Sequence, residues 1–254
     1  MRPSELAKMF ELEDTYWWFV ARRELVRELL IRYLPVGGDG SVAATGSRRL
    51  VLLDVGCGTG ATLRAIADLG DGVGIDRSLQ ALRFCQRRGL KELALASAEA
   101  LPVRTGSADV VLALDLLEHI EDDAAACREF ARVLRPGGLL LITVPASPEL
   151  WSEHDEALDH VRRYRAGRLR RILTEAGFRT ERLSPVIATL LLPIAALRLI
   201  QRVLPRKKGA PETAFIIPPR AINWVLTTLL RLEHLWLRRL NLPVGVSLFA
   251  VARR

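Results

Sequence analysis

"LLDVGCGTGATL" (residues 52–63) is a short apolar run that ends in an acid and then breaks into glycines. The run reads as a strand, the glycines as a tight turn, and the residues after them as the start of a helix. Gly56-Cys57-Gly58-Thr59-Gly60-Ala61 satisfies the loose G-x-G-x-x-A spacing of a dinucleotide-binding turn, a match too short to select a ligand by itself. The surrounding residues have to decide.

Working outward, strand-like segments at 50–54, 72–76, 92–96, 109–114 and 138–144 alternate with helix-like ones at 60–69, 78–88, 122–134 and 166–176. "RPGG" (135–138) reads as a turn between helix and strand, and Gly177 closes a helix before a sixth strand. Strands separated by helices of this length imply right-handed crossovers and a parallel sheet. The expected fold is therefore α/β, a Rossmann-like doubly wound and mostly parallel sheet. Residues 1–34 are expected to form an N-terminal helical lid, with Phe19, Leu25, Leu29 and Leu30 sharing one face. A small, glycine-rich linker follows at 35–49, and the α/β core runs over 50–184. An apolar and basic helical insertion at 185–243 precedes the final strand, 244–254.

The chain has 254 residues, half of them hydrophobic, which suffices for one large α/β domain with an elaboration. Its net charge of +8 is unevenly spread: residues 1–127 carry 15 basic and 19 acidic side chains, and 128–254 carry 22 and 10. A basic second half suits a polyanion, a phosphorylated substrate or an anionic membrane surface. Only Lys8, Lys91, Lys207 and Lys208 are lysines. Without a basic-aromatic interleaving, the arginine excess says little for nucleic acid, which is not expected as a partner. Cys57, Cys85 and Cys127 are scattered, which suits a reduced, cytoplasmic setting rather than a disulfide framework. The first residues show no apolar signal region.

Asp54 separates the possible ligands of the glycine turn. In a doubly wound sheet the ligand lies at the carboxyl ends of the strands, where strand order reverses. A carboxylate two residues before the first glycine would repel a pyrophosphate, and it suits a cationic amino-acid end such as that of S-adenosylmethionine. Asp76, closing "GVGID", can accept from both hydroxyls of a ribose, a role that does not discriminate between cofactors.

With these residues in hand, "LLDVGCGTG", "GIDRS", "ASAEALPVRTGSADVVLALDLLEHIEDD" and "RVLRPGGLLLITVP" resemble the successive motifs of class I S-adenosylmethionine-dependent methyltransferases, of the small-molecule type. The likeness covers residues 50–182 in order and spacing. It implies S-adenosylmethionine as cofactor, with Asp54, Gly56, Cys57, Gly58 and Gly60 around the methionine part and Asp76 and Arg77 at the ribose. It also implies Ser97, Ala98 and Glu99 at the adenine, and Leu114 and Asp115 as the floor beside the sulfonium. Ser97 stands where the family often has Asp, which leaves a serine to meet the adenine amino group.

For the acceptor side, "ELWSEHDEALDHVRRYRAGRL" (149–169) is dense in polar groups for a connector. His154 or His160 is the expected general base, and Arg162, Arg163 and Tyr164 are expected at the substrate. The same stretch also reads as a solvated loop capping the next helix. His154, Asp155 and His160 lack the rest of a metal shell, so no metal is expected. His119 reads as the start of the helix after the fourth strand, and His234 as structural. In "YWWF" (16–19) neighbouring side chains diverge by about 100° on a helix, so at least one should face the cofactor, an apolar substrate, for which Tyr16 and Trp17 are the candidates, or a membrane; a helix packed over the sheet edge is the competing reading. Arg22 and Arg23 follow within reach of the cofactor's carboxylate.

The expected activity is methylation of a small-molecule or lipid-linked acceptor, with oxygen favoured because a histidine base fits a hydroxyl. A nicotinamide-dependent oxidoreductase and a nucleic-acid methyltransferase remain as alternatives. "PVIATLLLPIAALRLIQRVLP" (185–205) is broken by Pro193, Arg198 and Arg202, which disfavours a membrane span. "AINWVLTTLLRLEHLWLRRL" (221–240) carries a polar stripe of Asn223, Thr227, Arg231, His234 and Arg238. With Arg206, Lys207, Lys208 and Arg239 nearby, residues 185–240 suit a helical pair lying on the inner membrane face. Packing on the sheet and a homodimer interface are the competing readings.

Overall fold

The computed structural model describes residues 3–34, 49–203 and 217–254. Two helices open the described chain, α1 (Pro3–Leu12) and α2 (Trp17–Tyr33). The core then runs β1 (Val51–Val55), α3 (Ala61–Ala65), β2 (Asp71–Asp76), α4 (Leu79–Arg87), β3 (Leu93–Leu95), β4 (Ala108–Leu114), α5 (Asp123–Val133) and β5 (Leu134–Pro145). It continues through α6 (Glu153–Ala157), α7 (Ala166–Glu175) and β6 (Arg179–Val186). The insertion supplies α8 (Leu191–Val203) and α9 (Arg220–Leu237) before the final strand β7 (Ser247–Arg253).

Among the described residues, seven strands form one sheet in the order β3-β2-β1-β4-β5-β7-β6. All neighbours pair in parallel except β7, which runs antiparallel to both β5 and β6. Strand order reverses between β1 and β4, so their carboxyl ends open the crevice in which such sheets hold ligands. Every residue of β4 is buried, as expected of a central parallel strand covered on both faces.

Residue parity assigns the two faces, because strand side chains alternate. Leu53, Val111, Ala113, Leu140 and Ile142 pack with Phe130 of α5 and Leu169 and Leu173 of α7. Leu52, Val110, Leu112, Leu139 and Leu141 pack with Leu25, Val26 and Leu29 of α2 and Leu230 and Leu237 of α9. Thus most of α2 is a core helix and not part of a separate N-terminal layer, while α1 packs through Leu6 against Ala81 and Phe84 of α4.

Three elements depart from the sequence reading. The helix after the glycine turn stops at Ala65, where 3₁₀-type turns at Ile66 and Ala67 take over. β5 begins at Leu134 instead of after "RPGG"; Gly137, at φ +76°, lets the strand bulge while Leu134 pairs with Ala108. The polar stripe of α9 lies against α2. Arg231 donates to Glu24 at 2.8 and 2.5 Å, and Arg238 to Glu28 at 3.2 and 3.1 Å, so the stripe lies along α2. His234 is buried in this seam. The expected linker falls, up to residue 48, outside the described residues, as do Arg206, Lys207 and Lys208.

Candidate functional site

At the end of β1 the chain turns sharply against β2. The N–H groups of Gly56 and Cys57 both donate to the Ile75 carbonyl, at 2.7 and 3.1 Å. Gly58 N–H donates to Asp76 at 2.9 Å, and Ser78 N–H meets the other oxygen of the same carboxylate at 2.8 Å. Gly56 sits at φ +73°, and a Cβ there would come within 2.6 Å of Leu116. Gly58, at φ +55°, faces Met9 of α1, whose terminal methyl carbon lies 2.9 Å from where a Cβ would stand. Gly60 differs from the other two: it faces Leu90 and Cys85 and serves as the left-handed N-cap of α3, away from the cavity.

That cavity, about 920 Å³, opens at the carboxyl ends of β1, β2 and β4. Asp54, Gly56, Cys57, Gly58, Asp76, Arg77, Ser97, Ala98, Glu99, Leu114 and Asp115 all line it. Arg22 projects into its floor and forms a close ion pair with Asp115. The Arg22 Nε is buried without a hydrogen-bond partner among the described residues. Burial pushes the Asp54 carboxyl up to about 7, with Arg22 opposing the rise and Asp76 and Glu13 adding to it. Arg23 instead donates to the Glu13 carbonyl and does not line the cavity.

These groups fit the cofactor that the motifs imply. An orphaned guanidinium N–H and a buried carboxyl stand together where a zwitterionic amino-acid end would need a donor and an acceptor. The glycine cradle has no room for side chains. Ser97 donates to Glu99 at 2.8 Å, so its oxygen keeps acceptor capacity for an amino group.

The α1–α2 junction is tied to the glycine turn and α4 by charge. Glu13, at the α1–α2 junction, accepts from Thr59 of the glycine turn and from Arg88 at 3.2 Å. Arg88 also pairs with Asp14 at 2.9 Å, and Phe10 stacks on Phe84 at 4.7 Å. Burial raises the Glu13 pKa, against its Thr59 hydrogen bond and the nearby arginines. None of Glu13, Phe10 or Arg88 could be singled out from the sequence, since each is an ordinary residue until α1 folds across the turn.

On the acceptor side, the two histidines and Arg163 of the 149–169 stretch reach the cavity. His160 Nδ1 lies 3.0 Å from Asp155, and Arg163 Nε donates to the same oxygen at 2.8 Å. Asp155 is fully buried; its carboxyl is nonetheless held well below the usual range, because those partners outweigh the cost of burial. Burial lowers His154 to about 4, aided by Arg198. His119 and Glu118 also line the cavity, in a 3₁₀ turn (Leu117–His119) that ends before α5 starts. Helix initiation was expected at His119; Asp122 performs it instead, accepting the Ala125 N–H at 2.8 Å.

Two expected substrate residues lie elsewhere. Tyr164 is wholly buried, its hydroxyl donating to Asp123 at 2.8 Å beneath α7, so it is a core residue. Arg162 pairs with the same Asp123 at 2.8 Å and does not line the cavity. Arg163 lines it while bonded to the Ala146 carbonyl at 2.7 Å and to Asp155, so it positions Asp155 and is not a free anion hook. Tyr16, Trp17, Trp18 and Phe19 all line the cavity, as do Ile194, Leu197 and Leu226 of the insertion.

Comparison with known proteins follows the same core. Residues 53–142 match the family model described as a methyltransferase domain. A ubiquinone biosynthesis O-methyltransferase of Ralstonia nicotianae is 36% identical over 143 residues, covering 54% of this chain and 58% of that protein. A probable S-adenosylmethionine-dependent methyltransferase of Mycolicibacterium smegmatis is 32% identical over 173 residues, covering 66% of this chain and 62% of that one. The chain therefore spans less than two thirds of the length of either relative. Among solved structures, an S-adenosylmethionine-dependent methyltransferase from Thermotoga maritima superposes with a TM-score of 0.59 at 17% identity, over 98% of this chain and 95% of that chain. At that identity the likeness speaks for the fold.

Proposed function

We infer, from a core that belongs to the class I S-adenosylmethionine-dependent methyltransferases, that this protein methylates an oxygen of a small-molecule acceptor carrying an apolar portion. One observation carries the reading: the glycine turn with Asp76 and the Asp155–His160 pair open into a single cavity. Bound S-adenosylmethionine supplies an electrophilic methyl group with a neutral thioether as leaving group. Asp54 and Arg22 are assigned to its amino-acid end, Asp76 to the ribose, and Ser97 to Glu99 to the adenine. His160 is assigned to the acceptor hydroxyl, because Asp155 engages Nδ1 and leaves Nε2 for the acceptor. His154 is the weaker candidate, since burial keeps it neutral and poorly basic. Displacement at a methyl group is mostly a matter of positioning, and the aromatic wall suits that task.

The Ralstonia relative's name puts an oxygen acceptor first, and the wall of Trp17, Trp18, Ile194 and Leu197 favours an acceptor with an apolar tail. Among the described residues no helix is long and apolar enough to cross a membrane. Ile222, Val225, Leu229, Leu232 and Trp236 form an exposed stripe on α9, on the side away from α2. We assign that stripe to the cytoplasmic face of a membrane, from which a lipid-linked acceptor would enter. The test is transfer of an isotope-labelled methyl group to hydroxylated aromatic acceptors with and without an alkyl tail, read by mass spectrometry. Label on oxygen, with turnover falling by about 10²- to 10⁴-fold in His160→Ala, supports the assignment. Label on nitrogen or carbon, or no binding of S-adenosylhomocysteine, overturns it.

A further inference from the structure

Glu118 is 1% exposed, yet its Oε2 has no hydrogen-bond partner among the described residues. A buried carboxylate oxygen left unsatisfied is costly, and folding gains nothing by placing it there. Its neighbours explain the position. His119 follows it in the 3₁₀ turn after β4, and His160 arrives from the loop after α6. The two segments are pinned together by the Val161 N–H, which donates to the Glu118 carbonyl at 2.8 Å. The imidazole rings of His119 and His160 meet edge to face at 4.8 Å. One donor atom from each of Glu118, His119 and His160 lies within 4.8 Å of the other two, and all three side chains line the cavity.

We propose that Glu118, His119 and His160 bind a divalent first-row transition cation that receives the acceptor's oxygen. The donor set argues for this class: two imidazoles and one carboxylate suit Mn²⁺, Fe²⁺, Co²⁺ or Zn²⁺, whereas Mg²⁺ and Ca²⁺ favour all-oxygen shells. The outer shell is also built. Asp155, 3.0 Å from His160 Nδ1, fixes the ring so that Nε2 faces the site, the arrangement by which carboxylates orient metal-bound histidines. Arg163 holds Asp155 in turn. Three protein ligands leave coordination positions open, and the cavity lies beside them. An acceptor hydroxyl bound there is acidified by the cation and loses its proton to solvent. This rests on the methyl-transfer reading and refines the part of His160 within it, from base to ligand.

The experiment is a Mn²⁺ titration of the chelator-treated full chain, followed by electron paramagnetic resonance, with S-adenosylhomocysteine binding measured in parallel by calorimetry. One Mn²⁺ per chain is expected, displaced by Zn²⁺, with magnetic coupling to imidazole nitrogen. Glu118→Gln and His119→Ala should each weaken Mn²⁺ binding by at least the about 10- to 100-fold that outer-shell changes cost, and Asp155→Asn should fall within that range. S-adenosylhomocysteine affinity should be unchanged in Glu118→Gln and His119→Ala, which also shows that they fold. Absence of stoichiometric Mn²⁺, absence of nitrogen coupling in the unaltered protein, or undiminished affinity in both ligand variants overturns the proposal. Cation binding without S-adenosylhomocysteine binding would leave the site standing and remove the methyl-transfer reading; the reverse result would do the opposite.

Discussion

The side chain of Asn223 in α9 caps the start of α2: its oxygen accepts the Trp17 N–H at 2.9 Å, and its nitrogen donates to the Thr15 carbonyl at 2.9 Å. The residue at the N-cap of α2, Tyr16, offers no side-chain cap of its own. A helix N-terminus leaves N–H groups unsatisfied, so a residue from the insertion completes a helix at the other end of the chain.

Asn223→Ala should therefore cost about 1 kcal/mol of stability, the usual value of a lost N-cap. Denaturant unfolding gives the energy, and hydrogen exchange gives the location. Faster exchange confined to residues 15–22 is expected. Uniform exchange throughout the chain would mean that Asn223 does not hold the start of α2.

Asp76 accepts the Gly58 and Ser78 N–H groups while lining the cavity. Asp76→Asn should loosen the turn and remove the charge offered to a ribose. A lost charge-assisted contact is worth roughly 2 kcal/mol, so S-adenosylhomocysteine affinity should fall about 30-fold by calorimetry. Unchanged affinity would remove Asp76 from the cofactor site.

With Asp54 assigned to the cofactor's amino-acid end, binding should depend on pH. Burial raises its carboxyl to about 7, so it is largely protonated at pH 6 and charged at pH 8. A cationic amino-acid end favours the charged form, so affinity for S-adenosylhomocysteine should fall as pH drops through about 7, with proton release on binding. In the unliganded protein the charged form is the penalised one. Its cost is absent at low pH, grows from the ordinary value of 3.8 upward and is complete above about 7, so melting should come later at pH 6 than at pH 8. Asp54→Asn should flatten the binding profile; a profile that keeps its slope assigns the titration to another group.

Leu232 and Trp236, on the apolar face of α9, are 52% and 65% exposed. If the apolar face meets a membrane, the protein should float with anionic vesicles, less so as salt rises. Replacing Leu232 and Trp236 by serine should weaken that binding by at least about tenfold. Sedimentation of the vesicle-free protein supplies the opposing result: a concentration-dependent dimer abolished by the same substitutions would assign the stripe to a second copy.

Several features were legible because local chemistry determines them. The apolar runs that end at Asp54, Asp76 and Asp115 are strands delivering polar residues to one edge of the sheet, and pattern alone finds them. The stripe of Asn223, Thr227, Arg231, His234 and Arg238 was equally visible, but periodicity reveals a face without saying what it meets. Its direction is set by Glu24 and Glu28, some two hundred residues away, which turn a hydrophilic stripe toward α2. Glu118 and His119 were hidden for a similar reason. They become a site only when Val161 registers His160 against them. Tyr164 lies in a connector whose polar density suggests ligand-facing residues, whereas the buried Asp123 draws its hydroxyl into the core.

The position of β7 constrains how the molecule assembles. Among the described residues β6 has no neighbour in the sheet other than β7, and β7 pairs with β5 through Leu141 and Val251, which are far apart in the chain. Until Ser247–Arg253 arrives, β5 keeps an open hydrogen-bonding edge, and β6 has nothing to join. On a ribosome that interval lasts while the whole of α8 and α9 is made, so a nascent chain with an otherwise complete nucleotide-binding half still displays a sticky apolar edge. Closing such a distant contact is slow, because loop entropy is spent before the pairing repays it. The aggregation-sensitive step of biosynthesis is thus the capture of the last strand, and chaperone demand should follow the rate of that capture more than the stability of the finished sheet.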